Sequence, residues 1–137
     1  MNKKEALAEF LELDEIDEIE EGYNENTFDA DGCEYMVLTD DEADEMAEEY
    51  ICDSLWAFDT NFILQHSNLD WSQELEDAIR TMQKNLCEGA NEAIRGMIED
   101  LDEFIKEAIS ADGRGHFLNT YDGEENEQGE YYIYRTN

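Results

Sequence analysis

Residues 33–57, CEYMVLTDDEADEMAEEYICDSLWA, decide the fold class. Residues 33–38 form a short apolar run suited to a strand, and Thr39 then opens T-D-D-E. That is a capping box, in which Thr39 caps a helix and Glu42 reaches back to its amide. Asp40, Asp41 and Glu42 also sit where the positive end of the helix dipole favours them. Beyond the cap, Ala43, Met46, Ala47, Tyr50, Ile51 and Leu55 recur at intervals of three and four. This spacing predicts a helix over 40–57 with that face buried. A strand that passes straight into an amphipathic helix puts both element types in one chain.

Upstream, KKEALAEFLEL (residues 3–13) carries Ala6, Leu7, Phe10 and Leu11 at helical spacing. The following DEIDEIEE either extends that helix or forms an exposed acidic turn, and Gly22 ends the segment. Downstream, Thr60 or Asn61 caps a shorter helix containing Phe62, Ile63 and Leu64. Asp70 or Ser72 then opens a long helical stretch with Leu75, Ile79, Met82, Leu86, Ala90, Ala93, Ile94, Met97, Leu101 and Ile105 as its apolar positions. Gly89 and Gly96 each cost about 1 kcal/mol in a helix interior, so a break or bend is expected near Gly89. The pattern stops by Asp112-Gly113. Residues 116–121 and 130–135 read as two aromatic-rich strands joined by the acidic turn DGEENEQG. The expectation is one α+β domain over residues 1–137. It would hold several amphipathic helices and a small antiparallel sheet that includes a C-terminal hairpin and takes in residues 33–38.

The composition supports a folded chain. Apolar residues make up 41% of the 137, with seven Tyr, six Phe and two Trp, more than an acidic disordered chain carries. Charge is the unusual feature: 39 Asp and Glu oppose eight Lys and Arg, a net of −31. Self-repulsion of that size opposes compaction, and a net charge of about 2–8 satisfies solubility. At about one charge per 1.7 Å of axis, the same charge is carried by roughly 15 base pairs of B-DNA. Cys33, Cys52 and Cys87 are odd in number and lack a CxxC spacing, so they read as free thiols of a reducing compartment. The N-terminus has no continuous apolar stretch, no run approaches the roughly 18 apolar residues of a membrane span, and an anionic membrane would repel the chain. The expected location is the cytoplasm.

On the 40–57 helix the outward positions are Asp41, Asp44, Glu45, Glu48, Glu49 and Asp53. Pairs 41–45, 44–48, 45–49 and 49–53 are like charges at i,i+4, each destabilising by about 0.2–0.5 kcal/mol. No Lys or Arg offsets them within the helix. Acids recur at Glu15, Asp17, Glu18, Glu20 and Glu21, at Glu99, Asp100, Asp102 and Glu103, and at Glu124, Glu125, Glu127 and Glu130. For any one cluster a solvated surface is the plainer reading. For the whole set, recognition by a basic groove is the better one, because a groove shaped for phosphates gains contacts, counterion release and steering from such an array. A halophilic surface is a rival explanation, but the many Asn, Ile and Met and the three Cys read as mesophilic.

Several chemistries are set aside. Asp29-Ala30-Asp31-Gly32 resembles part of an EF-hand loop. Aligning Gly32 to the loop glycine puts Thr27 at the first ligand position and Leu38 at the twelfth, where a bidentate Glu belongs. His66 and His116 sit in no zinc spacing, and Asp112-Gly-Arg-Gly115 reads as a turn before the hairpin. No metal or cofactor site and no catalytic set is expected. The basic residues are scattered, which disfavours direct nucleic-acid binding. Met46, Met82 and Met97 have core spacing. Trp56 and Trp71 read as residues at the edge of the core, either of which could anchor an interface.

Small size, net charge near −31, helices faced with Asp and Glu and free cysteines together resemble the DNA-mimic proteins encoded by phages, among them anti-restriction and anti-CRISPR proteins. The stretches DGRGHFLNTYDGEENEQGEYYIYRTN and EYMVLTDDEADEMAEEYI also look like a group of small proteins of phages and mobile elements. The resemblance covers most of the chain but transfers no site residues. It implies a non-enzyme that occludes the nucleic-acid-binding surface of a positively charged host defence protein, a CRISPR effector or a restriction enzyme. The expected contacts are Asp41, Asp44, Glu45, Glu48, Glu49 and Asp53 first, then Glu99, Asp100, Asp102 and Glu103. The rival is an acidic phage accessory or adaptor protein that binds a protein through its aromatic C-terminal hairpin.

Overall fold

The computed structural model describes residues 1–137. Its contacts divide into two compact units, Met1–Ala47 with Asp112–Asn137, and Glu48–Ala111. No helix is long and apolar enough to cross a membrane.

The first unit is a five-stranded antiparallel sheet with helices. Asn2 caps α1 (Lys3–Phe10) in a full capping box with Glu5, and Ala6 and Leu7 form its buried face. The run 14–21 does not extend α1; residues 14–18 are the exposed acidic turn, and only the last three residues of the run are a strand. One 3₁₀ turn at Ile16–Glu18 leads into β1 (Ile19–Glu21). Next come β2 (Thr27–Ala30) and β3 (Cys33–Thr39), joined by a two-residue turn. Asp31 and Gly32 both have positive φ, 51° and 77°, the requirement of a type I′ hairpin turn. The sequence that resembled a calcium loop is therefore a hairpin, with Ala30 directly opposite Cys33.

The chain closes with α7 (Arg114–Leu118), β4 (Asn126–Gln128) and β5 (Tyr131–Arg135), and the strand order is β1-β2-β3-β5-β4. The C-terminal hairpin and its pairing with residues 33–38 are as expected, but its first strand is not 116–121. Residues 114–118 are helical, and the strand is the polar segment Asn126–Gln128. The fold there is set by Gly115. A Cβ at that position would lie 2.4 Å from the Gly123 carbonyl oxygen, so only glycine lets α7 meet the loop that follows. Leu7, Ile19, Phe28, Ala30, Tyr35, Val37 and Ile133 form the core on one face of the sheet.

Helix α2 (Asp40–Asp53) begins in the first unit and ends in the second. Its capping box is as expected: Glu42 N–H donates to Thr39 Oγ1 at 3.2 Å and Thr39 N–H to Glu42 Oε1 at 2.9 Å. Ala43, Ala47, Ile51 and Leu55 are fully buried, whereas Tyr50 is exposed. The helix stops at Asp53, and Leu55–Ala57 form a 3₁₀ turn.

The second unit is helical. It comprises α3 (Thr60–Gln65), α4 (Gln73–Leu86), α5 (Asn91–Met97) and α6 (Leu101–Asp112), the last of these ending one residue inside the first unit. Ser72 caps α4, accepting from Leu75 N–H at 3.1 Å, and Asp59 caps α3. The long stretch breaks at Cys87–Ala90, a 3₁₀ turn that contains Gly89. Ile51, Leu55, Ile63, Ile94 and Phe104 are its core. The Phe104 ring packs at a tilt against Phe58 and Phe62, at centroid distances of 5.2 and 4.8 Å. The buried Thr60–Gln83 pair, 2.8 Å apart, is satisfied by a further bond from Gln83 Nε2 to Phe58 O.

Candidate functional site

The acids that the sequence singles out are all exposed: Asp41, Asp44, Glu45, Glu48, Glu49 and Asp53 on α2, and Glu99, Asp100, Asp102 and Glu103 at the start of α6. On α2, Asp41, Glu45, Glu49 and Asp53 make one i,i+4 ridge, each step about 6 Å along the axis. Glu48 and Asp44 form a shorter row beside it. None of the seven ion pairs involves Asp41, Glu45, Glu48, Glu49 or Asp53.

Asp44 differs from its neighbours. The Arg114 guanidinium, only 10% exposed, donates from Nη1 to Asp44 Oδ1 at 3.0 Å and to Asp40 Oδ1 at 2.8 Å. Its Nε donates to Glu125 Oε1 at 2.8 Å, and its Cζ lies 4.7 Å from the centre of the Tyr132 ring. The fully buried Tyr134 hydroxyl donates to the same Glu125 oxygen. Burial opposes the Arg114 charge, but hydrogen bonds to Glu125 and Asp40 outweigh it and raise its pKa further. Burial first, and then Glu125, push the Tyr134 phenol well above its ordinary value. Asp44 is thus one wall of a buried cation site that holds α2, α7 and β5 together. Lys3 acts similarly at the cap, 2.8 Å from Glu42 Oε1 and bonded also to Asn26.

The 99–103 cluster divides as well. Asp100 caps α6, accepting from Glu103 N–H at 3.2 Å, and Asp102 and Glu103 occupy the first turn, where the dipole favours them. With Gln65, His66, Leu101 and Glu99 they line an open depression of about 560 Å³. His66 Nε2 is 2.8 Å from Glu107 Oε2, and its ring packs on Phe62 and Phe104. Within the second unit, no hydrogen bond or ion pair joins Glu48, Glu49 or Asp53 to this cluster.

Three arrangements have no local signature in the sequence: the Arg114 site, whose α2 partners Asp40 and Asp44 lie 74 and 70 residues away, the His66–Glu107 pair, and a sheet ladder. In that ladder Glu20 lies opposite Asp29, and Asp29 opposite Glu34, so three carboxyls cross three strands. Like charges placed opposite one another destabilise a sheet.

For catalysis the structure offers little convergence. The Cys33 and Cys87 thiols donate to backbone carbonyls at 3.8 and 3.7 Å, Cys33 also meets the Tyr35 hydroxyl, and burial raises the Cys52 pKa. No group of three or more His, Cys, Asp or Glu is placed to hold a metal ion. No family model, curated protein or solved structure matches the chain.

Proposed function

We propose that this chain is a non-enzymatic inhibitor that occupies the nucleic-acid-binding surface of a positively charged protein in the bacterial cytoplasm, a CRISPR effector or a restriction enzyme. Its carboxylates stand where phosphates would lie. The observation that carries this reading is the charge density of α2. Eight carboxylates lie on 14 residues, a length of about 21 Å, giving one charge per about 2.6 Å. One strand of B-DNA carries a charge per about 3.4 Å of axis and the duplex one per about 1.7 Å. Lys3 pairs with Glu42, and Arg114 with Asp40 and Asp44. The five left unpaired give about one charge per 4.2 Å, near the spacing along a single nucleic-acid strand.

The unpaired set Asp41, Glu45, Glu48, Glu49 and Asp53 is the surface to which this reading assigns contact, with Glu99 and Asp102 as a second group. Asp44, bonded to Arg114, belongs in this reading to the scaffold. The rival reading, an adaptor docking through its aromatic hairpin, draws less support. Tyr134 is buried, Tyr132 lies under Arg114, and Tyr121 stacks under Arg135 at 3.5 Å.

The test is a pull-down from bacterial lysate at low and moderate salt, with DNA as competitor. The bait is the wild-type chain or a variant with Glu45, Glu48, Glu49 and Asp53 changed to Lys. Basic nucleic-acid-binding proteins should be recovered by the wild type, released by DNA and by salt, and lost with the variant. Capture that survives both the charge reversal and DNA competition would reject the proposal.

A further inference from the structure

We infer that the exposed face of the Trp71 indole receives an arginine side chain of the basic partner, so that recognition combines carboxylate pairing with stacking at one fixed ring. This rests on the proposed function, because it takes the partner to be a basic protein surface.

Trp71 immediately precedes Ser72, the N-cap of α4, and Glu76 is the fourth residue of that helix. These are the two positions of a hydrophobic staple, in which a large apolar residue before the cap packs on the fourth helical residue. A staple would bury the ring. Here the fourth residue is a carboxylate, and the contact is instead a hydrogen bond from Trp71 Nε1 to Glu76 Oε2 at 3.0 Å. Trp71 remains 60% exposed, while Glu76 is 8% exposed. The other Glu76 oxygen accepts from Arg80 Nη2 at 2.6 Å. A nearly buried, twice-bonded carboxylate therefore fixes the indole edge and leaves its face in water. Holding the ring in place removes the entropy that binding would otherwise have to overcome.

The chemistry of the missing contact follows from the surroundings. Arginine–aromatic stacking already occurs twice within the chain, Arg135 on Tyr121 and Arg114 on Tyr132. No cation or second ring of the chain covers Trp71. Arg80, the nearest guanidinium along α4, is turned to Glu76 and Asp77. Asp70 and Glu74 flank the ring in sequence and are exposed, and the unit as a whole has 15 acids against four Lys and Arg. An aliphatic partner would have to bring uncharged surface into that field. A planar guanidinium is favoured by both the field and the ring, since Arg is the cation most often found over Trp and is more weakly hydrated than an ammonium.

The test is fluorescence anisotropy of a labelled oligoarginine peptide and an oligolysine of equal length, titrated with the full chain at low ionic strength. The wild type should bind oligoarginine more tightly than oligolysine. Trp71→Leu should weaken oligoarginine binding about two- to fivefold and leave oligolysine binding nearly unchanged, with an unaltered salt slope because no charge is removed. Trp71→Phe should retain part of the preference, and circular dichroism should match the wild type for both. An arginine preference equal in wild type and Trp71→Leu would overturn the inference while leaving the proposed function standing. Failure of the wild type to bind either peptide would overturn both.

Discussion

Within α2, Asp40, Glu42 and Asp44 each meet a cation brought from a distant part of the chain, while Glu45, Glu48, Glu49 and Asp53 meet none. The first group lies at the N-terminal end, where the dipole already favours negative charge. The second runs toward the C-terminal end, where the dipole opposes it and the last turn holds no basic residue. Asp41 apart, which is unpaired in the first turn, pairing is supplied where the acids are least costly and withheld where they cost most. The difference shows which acids the fold uses. Near Arg114 and Lys3 the carboxylates hold elements together; farther along α2 they face only water.

The comparison breaks most sharply at Arg114. Arg114→Ala would leave Glu125 and the buried Tyr134 hydroxyl without their cation and separate Asp40 and Asp44 from the C-terminal segment. Losing one partner of a largely buried charge cluster costs about 3 kcal/mol, near the lower end for fully buried pairs because Asp40 and Asp44 remain solvated. Urea denaturation should register this loss. Arg114→Lys should recover only part of it, because one ammonium cannot serve Glu125, Asp40 and Asp44 in the planar geometry of a guanidinium.

Gly115→Ala attacks the same site from behind. The added Cβ meets the Gly123 carbonyl and the backbone of Glu124 and Glu125 within 3 Å, so the loop carrying Glu125 must shift. Overpacking of this kind costs about 1–3 kcal/mol, again measurable in urea. Arg114→Ala combined with Gly115→Ala should lose less than the sum, because both act on the Glu125 contact.

How far the sequence exposed this arrangement depended on range. Capping at Thr39 and Ser72, the buried stripe of α2 and the break near Gly89 were readable, because each depends on residues within a few positions of one another. Strands β1 and β2 were not, since three or four residues give no usable alternation and acids mask Ile19. Residues 116–121 misled through aromatic content: Phe117 and Leu118 are buried on a five-residue helix, too short for a helical period to register. Of the ten acids chosen as contacts, all are exposed, as their polar pattern implied. That Asp44 belongs to the Arg114 site could not be read, because Arg114 stands 70 positions away.

A pH titration sharpens the comparison at intermediate strength. Burial, with Glu125 second, raises the Tyr134 phenol above its unfolded value of about 10. The folded state then holds a proton that the unfolded chain releases, so this contribution is intact below pH 10 and declines above it, by about 1.4 kcal/mol per pH unit. Unfolding midpoints should fall steeply between pH 10 and 11.5. Tyr134→Phe should flatten that limb while lowering stability at neutral pH through the lost hydrogen bond to Glu125.

The smallest expected effect bears most directly on function. Replacing Glu45, Glu48 and Glu49 by Gln and Asp53 by Asn removes two like-charge pairs within the set, 45–49 and 49–53, along with those that Asp41 and Asp44 make to it. It also removes an unfavourable charge at the helix C-terminus. The net gain should be about 1 kcal/mol, visible as a rise of about 3–5 °C in melting temperature at low salt and a smaller rise at high salt. The same substitutions in the Arg114 group, Asp40 and Asp44 to Asn, should lower the melting temperature. If the unpaired acids serve recognition, the stabilised variant will also release its basic partner, and gain of stability with loss of binding separates a recognition surface from one that merely keeps the chain dissolved. A variant equally stabilised but still bound would place the contact elsewhere, and Glu99 and Asp102 would be the next acids to neutralise.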